Sequence, residues 1–562
     1  MPTSKETAPA RSGGRILVDQ LAIHGVDHVF CVPGESYLAV LDALVDSDIA
    51  VTVCRQEGGA AMMAEAHGKL TGAPGICMVT RGPGASNAMA GVHIASQDST
   101  PMILFVGQIE TGMREREAFQ EMDYRAVFGT QAKWVTEIDD AGRLPELVSR
   151  AFYVATSGRP GPVVIALPEN MLTDMAEAAD APRYEVVETE PGAAQLQALS
   201  QRLAQARRPI AILGGSRWSA QAVEQFAAFA ERTRLPVAVS FRRQMLFPAR
   251  HPCYAGDVGL GANPALLERI RHSDLVLLVG GRMSESPSQG YTLFDIPVPR
   301  QPLVHVHPDS SELGRVYRPA LAIHASPTAF AAALDAVCPD LDPQRESDIE
   351  TLHQSYLAWS DGAAVRTPGA LQMGQIMDWL ERTLPDDAIL TNGAGNYATW
   401  LHRFHRNRCY GSQLAPTSGS MGYGLPAAVS AKRVLPERMV VCFAGDGCFL
   451  MHGQEFATAV QYELPIVVVV IDNGMYGTIR MHQEKHYPAR VSATQLRNPD
   501  FAAYARAFGG HGERVETTGQ FGPAFERAVA SGKPAILHCL LDPEAITPTA
   551  TLTQLRQAAQ KT

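Results

Sequence analysis

The apolar positions of the chain occur mainly in short continuous runs, and longer Ala-rich stretches of helical character, such as 59–70, lie between them. Continuous apolar runs are typical of strands that helices cover on both faces. Their alternation with helices predicts parallel α/β sheets. The runs that we predict to be strands lie at 28–32, 51–54, 75–80, 102–106, 163–167, 210–213, 237–240, 275–279, 303–306, 388–391, 439–444, 466–471 and 535–541.

The runs fall into three groups, which predict three doubly wound parallel-sheet domains of similar size at 14–180, 193–342 and 367–547. Two polar stretches separate the groups: an acidic segment with Ala and Pro at 176–192 and a connector at 340–348. The sequence contains no short-period repeat and no low-complexity tract. The expected fold class is therefore α/β.

Composition agrees with this fold and restricts the partners. Of 562 residues, 46% are hydrophobic and 19% are charged, as in ordinary globular proteins. The length excludes a single small binding module. The net charge of -10 gives no electrostatic reason to expect nucleic acid or an anionic membrane as partner. An anionic ligand must therefore be held by local groups.

The cysteines and the N-terminal stretch bear on the compartment. The nine cysteines include no Cys-x-x-Cys pair, so the sequence suggests neither a disulfide framework nor a zinc site. Residues 1–15 lack the apolar segment of a signal peptide, and no apolar run approaches the ~18 residues of a membrane span. We therefore expect a cytoplasmic protein.

Two polar loops follow strands of the third group. The run 439–444 leads into Gly445–Asp446–Gly447, and the run 466–471 leads into Asp472 and Asn473. Because ligands bind at the carboxyl edge of open parallel sheets, Asp446 and Asn473 can converge although 27 positions separate them. Their oxygens suit Mg²⁺, which completes its octahedron with phosphate oxygens and water. The alternative is that these residues are ordinary strand-end turns, which often contain them.

With this spacing, and with the following Tyr476–Gly477, the chain resembles thiamine-diphosphate-dependent enzymes of the acetohydroxyacid (acetolactate) synthase type. The resemblance covers nearly the whole chain, whose three blocks would be the pyrimidine-binding, central and diphosphate-binding domains. It implies Mg²⁺ ligation by Asp446, Asn473 and the main-chain carbonyl of Met475. The residues that it places around thiamine diphosphate are Ala394, Gly395, Asn396, Met421, Gly445, Asp446, Gly447, Cys448, Asn473, Met475, Tyr476 and Gly477.

The first block contains the second part of the family signature. Residues 54–61 are similar to the Arg-His-Glu-x-x-Ala segment of the family, with Gln56 in place of the usual His. The resemblance implies that Glu57 is the catalytic acid, which hydrogen-bonds N1′ of the aminopyrimidine of the cofactor. A proton relay of this kind needs a carboxyl group in a dry environment. The alternative is a glutamate at a helix N-terminus that compensates the helix dipole.

Three further segments resemble the family. Met421, in the Gly-rich stretch 418–426, matches the residue that separates the two cofactor rings; an adaptable core Met is the alternative. Phe119 and Gln120 match a stretch that lines the substrate side, and a polar surface turn is the alternative. Residues 82–87 resemble a Gly-Pro-Gly-x-x-Asn helix start, which could equally be structural.

Some positions depart from the family. His482 occupies the position of a Trp that shapes acceptor choice in acetohydroxyacid synthases, so a preference for 2-oxobutyrate is not expected. A surface location is the expectation for His482, and an acid/base role is the alternative. The segment 473–477 looks more like that of a simple 2-oxo acid decarboxylase such as benzoylformate decarboxylase. The glycine turns at 214–215 and 280–281 resemble those that hold a non-redox FAD, although any α/β domain contains such turns. FAD is therefore a possible further cofactor.

The resemblance implies a 2-oxo acid substrate, decarboxylation, and transfer of the remaining fragment to a second carbonyl, with pyruvate to acetolactate as the preferred reaction. A decarboxylase that releases an aldehyde is the alternative. It also implies a homodimer or homotetramer in which Glu57 of one subunit and the 445–447 loop of another complete each site. Two other classes remain open: a non-catalytic cofactor-binding paralogue, which the intact Glu57 disfavours, and a flavin oxidoreductase.

Overall fold

A computed structural model describes residues 9–341 and 348–561. Three six-stranded sheets account for most of this chain, and every strand pair within them is parallel. The predicted α/β class with three parallel-sheet domains is confirmed. The start of the polar N-terminal stretch, the end of the second predicted block and most of the connector predicted at 340–348 lie outside the described residues.

The first sheet has the strand order β3-β2-β4-β5-β7-β6, and a short antiparallel ribbon, β1 with β8, lies outside it. Its elements are β1 (Arg11–Ser12), α1 (Gly13–Ile23), β2 (His28–Cys31), α2 (Leu38–Val45), β3 (Ala50–Val53), α3 (Glu57–Thr71), β4 (Gly75–Val79), α4 (Pro83–Asp98), β5 (Met102–Gln108), α5 (Tyr124–Phe128), β6 (Trp134–Glu137), α6 (Leu144–Thr156), β7 (Pro162–Pro168), α7 (Glu169–Thr173) and β8 (Met175–Ala176).

The second sheet has the strand order β11-β10-β9-β12-β13-β14. Its elements are α8 (Ala193–Gln205), β9 (Pro209–Leu213), α9 (Ala220–Arg232), β10 (Val237–Val239), β11 (Tyr254–Asp257), α10 (Pro264–Arg271), β12 (Leu275–Val279), β13 (Leu303–His307), β14 (Leu321–His324), α11 (Pro327–Ala333) and α12 (Ile349–Trp359).

The third sheet has the strand order β16-β15-β17-β18-β20-β19. Its elements are α13 (Met373–Thr383), β15 (Ile389–Asn392), α14 (Tyr397–Phe404), β16 (Gln413–Leu414), α15 (Gly424–Val434), β17 (Val440–Gly445), α16 (Asp446–His452), α17 (Glu455–Gln461), β18 (Ile466–Asp472), α18 (Gly477–His486), α19 (Phe501–Ala507), β19 (His511–Val515), α20 (Thr518–Ala530), β20 (Ala535–Leu540) and α21 (Leu552–Gln560).

The inner strands explain why continuous apolar runs mark this fold. All seven residues of β5 and of β7 are buried, as are all five of β9 and of β12. Helices cover both faces of these strands, so neither face requires polar side chains. Separate hydrophobic clusters lie around the three sheets and contain, for example, Phe152, Phe226 and Trp400.

The chain divides into two compact units. One contains the first sheet, up to Val187, together with Val429–Val434 from α15; the other contains the second and third sheets. The hydroxyl of Ser430, in this part of α15, donates a hydrogen bond of 2.8 Å to the carbonyl oxygen of Met63 in α3. No helix among the described residues is both long and apolar enough to cross a membrane.

Candidate active site

The candidate site lies at the carboxyl edge of the third sheet. Strands β15, β17 and β18 are adjacent and parallel, with Asn392 paired to Phe443 and Gly445 to Ile471. Their carboxyl ends therefore lie along one edge, and the three following loops start side by side. Sequence-distant segments beginning at Gly393, Asp446 and Asn473 meet there for this reason.

A cavity of about 240 Å³ opens between these loops. All twelve residues that the sequence associated with the cofactor line it: Ala394, Gly395, Asn396, Met421, Gly445, Asp446, Gly447, Cys448, Asn473, Met475, Tyr476 and Gly477. The structure also adds lining residues that the motifs did not indicate: Tyr397, Trp400, Gly419, Ile471, Thr478, Ile479, Leu541, Ala545 and Ile546. The wall therefore combines hard oxygen donors with an apolar surface.

The glycines of the 445–447 loop are required by close packing. A Cβ atom on Gly447 would lie 2.6 Å from the Tyr476 ring, and one on Gly445 would lie 2.9 Å from the Tyr397 ring. Real Cβ atoms do not approach other heavy atoms so closely, so a side chain at either position would displace an aromatic ring that lines the cavity. The Gly-Asp-Gly pattern thus lets the backbone approach these rings closely.

Asp446 begins α16 and its side chain is buried. Burial raises the pKa of Asp446 to about 6, although hydrogen bonds from the Gly447 amide and from Asn498 oppose the change. A buried carboxyl group of this kind gains from a cation beside it, because the opposite charge favours the ionised form. Asp446, Asn473 and Met475 all line the cavity and offer oxygen atoms, so this part of the wall fits a Mg²⁺ ion.

A hydrogen-bond network supports this carboxylate, and the sequence motifs did not indicate it. The side-chain amide of Asn498 donates to Oδ2 of Asp446 at 2.7 Å and to Oδ1 of Asp472 at 2.8 Å. His538, on β20, lies 2.9 Å from Oδ2 of Asp472 through Nε2. Burial would raise the pKa of Asp472, but the hydrogen bonds from His538 and Asn498 outweigh it and lower that pKa. Asp472 is therefore ionised next to Asn473.

Cys448 and Asn396 are also held by neighbouring side chains. The Cys448 sulfur accepts a hydrogen bond of 3.2 Å from the Gly422 amide and lies 3.2 Å from the Tyr397 hydroxyl. The first bond links α16 to the loop that carries Met421, whose side chain is half-buried against the third core. Thr478 donates to Oδ1 of Asn396 at 2.9 Å. These bonds connect all three loops around the cavity.

Glu57 lies in the other compact unit, at the first residue of α3. Gln56 caps this helix by accepting a hydrogen bond of 3.1 Å from the Gly59 amide, so the replacement of the family His still provides a helix cap. Asn87, on α4, donates to Oε2 of Glu57 at 2.9 Å. The Asn of the 82–87 motif therefore contacts Glu57 directly, a role that the sequence did not predict.

Phe119 and Gln120 lie in a loop next to the start of α4. Gln120 has a left-handed backbone with φ of 65°, and a Cβ atom on Gly82 would lie only 2.9 Å from its carbonyl oxygen and its Cβ atom. Arg81 donates to the Phe119 carbonyl oxygen at 3.2 Å, and the Phe119 side chain is 72% exposed. The loop is thus fixed through its backbone, and the Phe119 side chain is exposed.

Two positions that the sequence left open have simple structural explanations. His482 is exposed on α18, and its ring stacks on that of His486 at 6.1 Å, which agrees with the expected surface location. In the second sheet, a Cβ atom on Gly215 would lie 1.9 Å from the Gly280 carbonyl oxygen. The two glycine turns pack against each other, so backbone packing alone accounts for these glycines.

The three sheets correspond to three domains of one enzyme class. Residues 11–127 match the N-terminal TPP binding domain of thiamine pyrophosphate enzymes. Residues 196–334 match the central domain, and residues 393–539 match the C-terminal TPP binding domain. Most of the residues that line the candidate cavity belong to the last of these segments. The chain is therefore a thiamine-diphosphate-dependent enzyme.

Relatives extend the match over nearly the whole length. The chain is 31% identical to the acetolactate synthase isozyme 2 large subunit of Escherichia coli, over 94% of this chain and 96% of that protein. It is 31% identical to the acetolactate synthase large subunit of Parasynechococcus marenigrum, over 90% and 83% of the two chains, and 29% identical to that of Corynebacterium glutamicum, over 96% and 88%. These relatives favour the synthase type over the simple decarboxylase. The chain belongs to the acetolactate synthase large-subunit family of thiamine pyrophosphate enzymes.

Proposed function

We propose that this enzyme decarboxylates pyruvate and joins the remaining two-carbon unit to a second pyruvate, so that two pyruvate molecules and one proton give acetolactate and CO₂. The observation that carries the proposal is the convergence of all twelve predicted cofactor residues on one cavity of the third sheet. The family membership supports the choice of a 2-oxo acid as substrate.

In this proposal, Asp446, Asn473 and the carbonyl oxygen of Met475 hold Mg²⁺, and the glycines of the 394–396 and 445–447 loops leave space for the diphosphate. Thiamine diphosphate, when bound, supplies a carbon nucleophile and an electron sink. Met421 and the apolar wall residues Ile479 and Ile546 exclude water from the rings of the cofactor. Exclusion of water strengthens electrostatic interactions within the site.

Glu57 is proposed as the catalytic acid, which holds a proton at N1′ of the aminopyrimidine. The hydrogen bond from Asn87 to Oε2 orients the carboxyl group and leaves Oε1 for the cofactor. Phe119 and Gln120 are proposed to line the substrate side, because their loop is fixed by its backbone while the Phe119 side chain is exposed. Only Glu57, of these three, takes part in proton transfer.

The oligomeric state, the location in the cell and a possible FAD cofactor are also proposals. The enzyme is proposed to be a homodimer or homotetramer with active sites at the subunit interface, as the resemblance implies. A cytoplasmic location is proposed because the nine cysteines, all of them described, form no disulfide framework. FAD is proposed only as a possible additional cofactor, because backbone packing accounts for the glycine turns. The absorbance spectrum of the purified protein decides that point: a flavin band near 450 nm must be present if FAD is bound.

The test is a product assay with pyruvate, thiamine diphosphate and Mg²⁺. We expect CO₂ and acetolactate in equal amounts, and in Glu57→Gln we expect the rate to fall by at least about 10²-fold, in the range of general acid–base catalysis. Glu146→Gln, an exposed glutamate of the same unit, is the matched control and should keep the wild-type rate. Unchanged CO₂ release in Glu57→Gln would refute the acid assignment. Acetaldehyde in place of acetolactate would establish the decarboxylase alternative.

A further inference from the structure

Asp27, His28 and His67 form a side-chain cluster that includes none of the residues of the candidate active site. His28 begins β2, Asp27 precedes it, and His67 lies in the last part of α3. All three belong to the compact unit of the first sheet. The proposed reaction uses none of them, and Glu57 begins the same helix some ten residues earlier.

The ligand atoms of this cluster have the spacing of a metal site. Oδ1 of Asp27 lies 3.0 Å from Nδ1 of His28 and 3.4 Å from Nε2 of His67, and all three atoms lie within 4.8 Å of one another. A tetrahedral ion with bonds of about 2.0–2.1 Å holds its ligand atoms roughly 3.3 Å apart. A small ion therefore fits between these atoms with side-chain adjustments of about 1 Å.

The hydrogen bonding of the two histidines leaves nitrogen atoms for an ion. Nδ1 of His28 is buried and makes no hydrogen bond to any described residue, although it lies 3.0 Å from Oδ1 of Asp27. The Thr71 hydroxyl donates to the His67 carbonyl oxygen at 2.8 Å, and its oxygen lies 3.4 Å from Nδ1 of His67. It can therefore accept from Nδ1–H, and a metal ion on Nε2 would then replace the hydrogen bond of 3.4 Å between Nε2 and Oδ1 of Asp27.

Charge and exposure also suit a cation. The cluster combines one anionic ligand, the Asp27 carboxylate, with two imidazoles. The Asp27 side chain is 68% exposed, whereas those of His28 and His67 are 16% and 7% exposed. An ion can thus enter from the Asp27 side and keep water on its open face. The imidazoles form the inner wall.

We propose that Asp27, His28 and His67 bind a divalent transition metal ion, with Zn²⁺ as the best match. Two imidazoles and one carboxylate form a ligand set that suits Zn²⁺ and the neighbouring first-row ions rather than Mg²⁺ or Ca²⁺. The bound ion would link β2 to α3 and so stabilise the unit that carries Glu57. A cluster held only by hydrogen bonds is the competing explanation.

The test is calorimetric titration of ZnCl₂ into the full chain at pH 7.5 with saturating Mg²⁺, for a parent protein and for its Asp27→Asn and His28→Gln variants. The titrations use a His482→Gln/His486→Gln background, because these stacked histidines on α18 form another exposed pair. We expect one Zn²⁺ per chain, and an affinity at least about tenfold weaker in each ligand variant. His272→Gln, an exposed histidine beside Glu268, should leave the affinity unchanged.

A second measurement covers the risk that a variant misfolds. Asp27 is exposed, so Asp27→Asn should keep the circular dichroism spectrum, and Zn²⁺ should raise the melting temperature of the parent protein more than that of Asp27→Asn. The proposal would be overturned if the parent bound no Zn²⁺, or if Asp27→Asn and His28→Gln bound Zn²⁺ with the affinity of the parent. Because the readout is Zn²⁺ binding, this result is independent of the acetolactate assay.

Discussion

At the scale of single residues, the candidate site depends on two carboxylates that share one donor. Asp446 and Asp472 both accept from the Asn498 amide, and His538 holds the other oxygen of Asp472. Without Asn498, two buried acidic groups would lie near each other with fewer donors. Because burial opposes the charged form of Asp446, this donor and a cation both favour the ionised ligand.

We therefore expect Asn498→Ala to weaken Mg²⁺ binding. Residues that orient metal ligands contribute about 10–100-fold to affinity, and we expect a loss in that range. Calorimetry measures the binding of thiamine diphosphate at increasing concentrations of Mg²⁺. Gln495→Ala, at an exposed position of the same loop, is the control and should leave the affinity for Mg²⁺ unchanged. A wild-type Mg²⁺ dependence in Asn498→Ala would show that Asp446 needs no orienting partner.

A second prediction at this scale concerns His307. Burial, with a contribution from His305, lowers the pKa of His307 from 6.5 to about 3. The unfolded chain therefore takes up a proton at this residue as the pH falls below 6.5, whereas the folded protein does so only near 3. The stability contributed by neutral His307 is fully present above pH 6.5 and is lost between these values, at up to about 1.4 kcal/mol per pH unit.

The measurement for His307 is the urea unfolding midpoint between pH 7.5 and 4.5. The midpoint of the unmodified protein should fall with pH, and the decline should be less steep in His307→Gln, which cannot titrate. His272→Gln, at an exposed histidine, should keep the full slope. Equal slopes in all three proteins would contradict the prediction.

At the scale of elements, the contact between α3 and α4 controls the environment of Glu57. Gly91, on α4, packs directly on Ala61 of α3, where a Cβ atom on Gly91 would lie 2.4 Å from the Ala61 Cβ atom. This close crossing brings Asn87 within hydrogen-bonding distance of Glu57. The small residues of the two helices thus serve both packing and the position of the proposed acid.

Gly91→Ala should therefore destabilise the first unit and disturb the Glu57–Asn87 pair. Overpacking of a close contact costs about 1–3 kcal/mol, and the better helix propensity of Ala offsets at most about 1 kcal/mol. We expect a lower unfolding midpoint in urea and slower acetolactate formation. Gly112→Ala is the matched control, because nothing lies within 4 Å of the added Cβ atom. An unchanged unfolding midpoint in Gly91→Ala would mean that α3 and α4 accommodate the added methyl group without loss of stability.

At the scale of the whole molecule, the proposed acid and the proposed metal ligands lie on different sheets of the chain. If subunits share their active sites, as proposed, chains with different defects should complement each other. A dimer of Glu57→Gln and Asp446→Ala chains has one site with both defects and one with neither. Random mixing then restores roughly a quarter of the wild-type sites.

The measurement is acetolactate formation after co-expression and purification of the two tagged variants. Each variant alone should be nearly inactive, and the mixture should recover activity in proportion to the mixed dimers. A mixture of Glu57→Gln with Glu57→Ala is the control and should stay inactive. No recovery in verified mixed dimers would contradict the shared site.

The sequence predicted the inner strands better than the edges of the sheets. The apolar runs identified β2, β4, β5, β7 and their counterparts in the other sheets, with ends within about two residues. In the three six-stranded sheets, five strands escaped prediction, namely β6, β11, β14, β16 and β19, and each lies at the edge of its sheet; the short ribbon of β1 and β8 was also not predicted. Edge strands have partly exposed positions, such as four of five in β19, or span only two residues, as in β16. Neither case produces a continuous apolar run.

The sequence by itself determined the fold class and indicated twelve residues that line the candidate cavity, because buried parallel strands and close glycine turns impose local patterns on residue type. Only the tertiary structure decided which side chains support that cavity. Asn498 and His538 reach Asp472 from later segments, and Asn87 reaches Glu57 from another helix. A single Asn or His carries no periodic pattern, so its role follows from strand order and helix crossing. The same reason applies to Asp27, His28 and His67, which only the fold brings together.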